Sequence, residues 1–94
     1  MIPFNQQENS LSTTERLARY ETAQEIIGMM IALRAKELDL EERKAQPDVA
    51  RIAELEAEQD RLTDECHDLR FDDHAAIRRV IESYGPIVRA RFAA

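Results

Sequence analysis

An all-α fold is predicted by three features of this 94-residue chain: abundant Ala, Leu, Glu and Arg, very few turn formers, and apolar residues recurring at helical spacing. Two glycines and three prolines leave little material for turns and bulges. At 44% hydrophobic and 34% charged, the composition is too apolar for a disordered chain and too polar for a membrane protein. No apolar run approaches the ~20 residues needed to span a bilayer. The length suits one small domain.

Residues 1–11 are polar apart from Ile2, Phe4 and Leu11 and show no helical pattern, so they are expected to form a flexible arm that can dock through Phe4. The helical domain is expected over residues 12–85. Ser12-Thr13-Thr14-Glu15 has the spacing of a capping box, with the serine oxygen taking an orphan backbone N–H and Glu15 reaching back to the cap. A first helix is expected over 13–44, where no proline and a single glycine, Gly28, interrupt good helix formers. At 1.5 Å per residue it would reach roughly 48 Å, which requires a packing partner.

Gln46-Pro47-Asp48 ends that pattern, because the residue before a proline avoids the α region while Pro47 and Asp48 suit a helix's first turn. A second helix is expected over 47–71. Its apolar or small residues Ile52, Leu55, Leu62, Cys66 and Leu69 form a narrow seam, interrupted at Gln59. Ten acids and three arginines between Asp48 and Asp73 put the rest of that helix in water. A connection of a few residues makes the two helices antiparallel, a coiled-coil-like hairpin, and a turn near residues 45–46 sets Leu62 opposite Met29.

Asp72-Asp73-His74 resembles a cap and first turn, and Ile77, Val80 and Ile81 share one side of a short third helix expected over 73–84. Tyr84-Gly85-Pro86 is expected to stop it and leave 86–94 as a tail. Folded back, this helix would cover the hairpin's open end at Leu17 and Tyr20.

The first helix is apolar over more than half its circumference. Tyr20, Ala23, Ile27, Met30, Ile31 and Leu38 form one stripe; Ile26, Met29, Leu33 and Leu40 form a second beside it. The second helix can cover one stripe only. Ile26, Met29, Met30, Leu33 and Leu40 are therefore expected at a self-association or partner surface, giving a homodimer with a four-helix core or a contact with a heterologous protein. Gly28 would let two such helices approach closely.

Other chemistry is thinly represented. Cys66 is alone, so no intramolecular disulfide can form, and with no basic, long-apolar signal at the N-terminus a cytoplasmic location is expected. Asp64, Glu65, Cys66, His67, Asp68, Asp72, Asp73 and His74 are dense in ligand types. Yet no His or Cys pair has the i, i+4 spacing of a helical zinc site, and no metal or cofactor is expected. As a core residue Cys66 behaves as a small hydrophobe rather than a nucleophile. Arg34, inside the first stripe, needs an acid such as Glu54 or Glu58, and together with Gln59 it is a candidate interhelical polar site. A small helical-bundle enzyme with a site near Arg34 is one alternative, though no catalytic set is assembled.

The formal charge of −6 is uneven: residues 1–71 carry 9 basic and 16 acidic side chains, whereas 74–94 carry four arginines against one glutamate. Arg78, Arg79, Arg89 and Arg91 are candidate anion contacts, and a dimeric regulator touching nucleic acid through them is the other alternative. The acidic body repels phosphate backbones and argues against it. An acidic flank beside the apolar arc argues against membrane binding. The expectation is a non-catalytic protein–protein interaction module of adaptor, chaperone or inhibitor type.

Overall fold

A computed structural model describes residues 11–92. It holds three helices, α1 (Thr13–Glu42), α2 (Val49–Asp68) and α3 (His74–Phe92), with no strand among the described residues. α1 packs against both of the others, while α2 and α3 touch each other little. The molecule is elongated, 62 × 28 × 22 Å. Of the expected arm, residues 1–10 lie outside the described residues, as do residues 93 and 94 of the expected tail.

α1 begins as its sequence dictates. Glu15 N–H donates to Ser12 Oγ at 3.1 Å and Ser12 N–H donates to Glu15 Oε1 at 3.3 Å, so two orphan donors are satisfied reciprocally. The helix ends at Glu42, and the bend over residues 43–48 is organised by Glu41. Its carboxylate accepts the Asp48 N–H at 3.0 Å and the Lys44 ammonium at 2.9 Å, which ties the last turn of α1 to the entry of α2. Asp48 then caps α2 by accepting the Arg51 N–H at 3.1 Å.

Three contacts fix the register. Tyr20 Oη donates to the Leu69 carbonyl, Gln59 Nε2 to the Ile31 carbonyl, and Arg51 to Glu37. All three centre the antiparallel pair on Lys44 and Ala45, about one residue from the expected turn. α2 stops at Asp68 rather than continuing to residue 71, because Leu69 turns extended. The Phe71 ring folds edge-on against Tyr20, with centroids 6.0 Å apart and planes at 81°.

The largest departure from expectation is α3. Asp73 caps it by accepting the Ala76 N–H at 3.0 Å, and the helix then runs through Gly85-Pro86 to Phe92. Proline removes one intrahelical donor, and its ring normally clashes with the Cβ of the preceding residue. Gly85 has no Cβ, so that part of the clash is absent. The lost bond is offset by burial, since Ile77, Val80, Ile81, Tyr84 and Val88 keep one apolar face in register across the proline. Gly85 is itself buried, and a Cβ there would lie 3.9 Å from the Ile26 side chain. α3 therefore runs parallel to α1, from the Tyr20 level up to Arg91 beside Glu37. It does not cover the overhang at Leu17, which stays exposed.

The core combines Ala23, Ile27, Met30 and Leu33 of α1 with Leu62, Leu69, Ile77, Val80 and Val88. Ile27, Ile77 and Val80 are almost wholly removed from water, each stabilising the fold by about 1.5–3 kcal/mol.

Candidate interaction surface

α2 and α3 occupy two sides of α1 and leave the third open. The open edge consists of exposed residues at helical spacing, among them Glu25, Met29, Ala32, Lys36 and Leu40. The expected self-association surface is thus divided. Met30 and Leu33, expected at a self-association surface, lie within the core at 4% and 7% exposure. Ile26 is half-buried under Gly85. Met29 and Leu40 alone of those five remain accessible, at 39% and 56%. For Leu33 the physical reason is the length of α3, whose end lies beside it, whereas Met30 belongs to the first stripe and faces the core.

Beside the open edge, a groove of about 280 Å³ separates α1 from the end of α3. Leu33, Leu40, Ala32 and Phe92 supply its apolar walls, and Lys36, Glu37 and Arg91 its rim. Phe92 is 53% exposed. The apolar floor, charged rim and open shape suit a side chain from another polypeptide.

Arg34 is held as its position in the stripe requires. Its guanidinium contacts Glu37 at 3.2 Å on the same helix and Glu58 of α2 at 3.5 Å. Glu54, the other acid considered for it, instead pairs with Arg51 at 3.3 Å. Glu37 is the centre of this group: Arg34 and Arg51 share its Oε2, and Arg91 of α3 approaches its Oε1 at 3.8 Å. One carboxylate therefore links all three helices, a role that no local spacing announces. Gln59 sits across the α1–α2 seam with its amide on the Ile31 carbonyl at 3.5 Å, a long bond that satisfies a polar group at an interface. Arg34 and Gln59 face the same seam, and their partners are the chain's own atoms.

The four C-terminal arginines do not converge. Arg91 is drawn to Glu37, and Arg79 lines a cleft of about 290 Å³ with Glu65, Asp68 and Asp73. Arg78 is half-buried, while Arg89 lies beside Gly85, its guanidinium 3.4 Å from where a Cβ would stand. Near that cleft Tyr84 donates to Glu65 at 2.7 Å, joining α3 to α2. Burial first, and the Glu65 hydrogen bond second, raise the Tyr84 hydroxyl to about 12. Cys66 is half-buried against the core, and Asp72 lies in the turn beyond α2, off the helix that carries Asp64 and Asp68. Among the described residues no three metal-ligating side chains gather, and no helix is long and apolar enough to cross a membrane.

The sequence does not single out Glu37 or Glu41, nor does it pair Tyr84 with Glu65. Arg34 and Glu37 at i, i+3 were visible in principle. The Tyr84–Glu65 bond joins residues 19 positions apart on two helices, so no local spacing announces it. No family model, curated protein or solved structure matches this chain.

Proposed function

We propose that this chain is a non-catalytic protein–protein interaction module, of adaptor, chaperone or inhibitor type, that presents the open edge of α1 to a partner helix. The observation that carries it is the alignment of Met29, Leu40 and Phe92 along that edge and its adjoining groove, although two sides of α1 are already covered. Exposed methionine adds an adaptable contact, and the charged rim supplies orientation. Arg34 and Gln59, the centre of the enzyme alternative, have partners that account for their positions. Of the arginines behind the nucleic-acid alternative, Arg91 is drawn to Glu37 and Arg79 lies among Glu65, Asp68 and Asp73, so acids of the chain already compete for two of the four.

Site-specific photo-crosslinking in the native cell tests this. A photoreactive residue at Leu40 should trap a discrete protein adduct, whereas one at Glu56 on the outer face of α2 should not. Identical adducts at both positions, or none at either, would contradict the proposal.

A further inference from the structure

We infer that the partner of the open edge is a second copy of this chain, bound through an antiparallel pairing of the two α1 helices. This deepens the interaction-module reading and rests on it. The evidence is a charge palindrome over the part of the exposed edge from Glu25 to Lys36. Glu25, Met29, Ala32 and Lys36 follow one another at steps of four, three and four, the spacing of a seam between paired helices, and all four are exposed. Reversing the strip about its centre, between Met30 and Ile31, places Glu25 opposite Lys36 and Met29 opposite Ala32. A two-fold pairing therefore sets each Glu25 against the partner's Lys36 and each Met29 over a small partner residue. In a parallel pairing the same strip would stack like on like.

Two further observations support the fit. Among the described residues Glu25 and Lys36 have no ion pair within the chain, unlike Glu37, Glu41 and Arg51 nearby. A Cβ added at Gly28 would meet nothing within 4 Å, so the backbone beside Met29 is open to close approach. The expected dimer thus passes over Met29 and the Glu25–Lys36 edge, and leaves Met30 and Leu33 in the core of each protomer.

Charge reversal separates this pairing from every other occupant. In sedimentation equilibrium on the full chain, the wild type should dimerise. Glu25→Lys and Lys36→Glu should each weaken self-association at least about tenfold, because each places two like-charged pairs across the two-fold axis. Both positions are exposed, so helicity and melting should hold. Mixing the two variants should restore association as a heterodimer in which one edge is all basic and the other all acidic, and the double variant should self-associate within about threefold of the wild type. A monomeric wild type at ~100 µM, single variants that associate normally, or a mixture that fails to associate would each overturn the inference. A Leu40 photo-adduct consisting only of a different protein would overturn it as well while leaving the interaction-module reading standing; no adduct at all would remove both.

Discussion

Met29 and Met30 are neighbours in the chain, yet one is 39% exposed on the open edge of α1 and the other 4% exposed in the core. A hundred degrees of helical rotation separates a residue enclosed by its own chain from one left facing solvent. The inner side of α1 is bound to its own chain by Ile27, Met30 and Leu33, whereas its open edge carries Glu25, Met29, Lys36 and Leu40. The lesson is that a broad apolar arc does not identify an interface by itself. What matters is how much of the arc the rest of the chain can reach, and here the length of α3 decides it.

The sharpest break between the two sides should come from the same substitution made on each. Leu33→Glu places a carboxylate at a 7% exposed position and should cost several kcal/mol or prevent cooperative folding. Leu40→Glu, two turns along, should change stability by no more than about 0.5 kcal/mol in dilute protein. Equal melting temperatures for the two variants would show that α3 does not cover Leu33. On the inner side alone, Ile27→Ala should cost about 2–5 kcal/mol, measured by urea unfolding, because Ile27 is fully buried between helices. Met29→Ala should fall well below that range.

Smaller effects follow from the groups that hold the helices in place around the open edge. The Lys44 hydrogen bond, with the Asp48 N–H, holds the Glu41 carboxyl below its ordinary 4.5. A carboxyl lowered by folding stabilises the native state above the unfolded value, and that stabilisation is lost as pH falls through the folded value. Glu41→Gln should therefore flatten the decline in stability below pH 4.5 and loosen the bend between α1 and α2, read as faster amide exchange at Asp48. An unchanged acid limb would remove Glu41 from this role. Tyr84 has the opposite sign: its hydroxyl rises from 10.0 to about 12 on folding, so its contribution is present below pH 10 and is lost toward pH 12. Tyr84→Phe should remove the late phase of tyrosinate absorbance in an alkaline titration. A late phase that survives would assign it elsewhere.

Much of this architecture is legible in the amino-acid sequence. The Ser12–Glu15 box, the break at Pro47, the cap at Asp73 and the buried seam of Leu55, Leu62 and Leu69 all express local rules with few competitors. Arg34 also met one of its expected acids, Glu58, because a guanidinium in an apolar stripe has few places to go. The end of α3 was not legible. Gly85-Pro86 carries a strong stop signal, and the alternation of apolar and basic residues from Val88 to Phe92 disguises the apolar face that continues from Ile77 to Val88. Tertiary burial overrode the local signal, and the candidate interface residue Leu33, beside the end of α3, became core as a result. Glu37 illustrates a different limit, since its three arginines come from three helices and meet only after those helices have packed.

The division of α1 into a covered side and an open edge is tested most directly by the methyl signals of Met29 and Met30 in protein labelled at methionine. A soluble paramagnetic agent should leave the Met30 methyl shielded at every protein concentration. It should relax the Met29 methyl strongly in dilute protein and progressively less as concentration rises and the edge is covered. A Met29 methyl already shielded in dilute protein, or a Met30 methyl as accessible as its neighbour, would contradict the account.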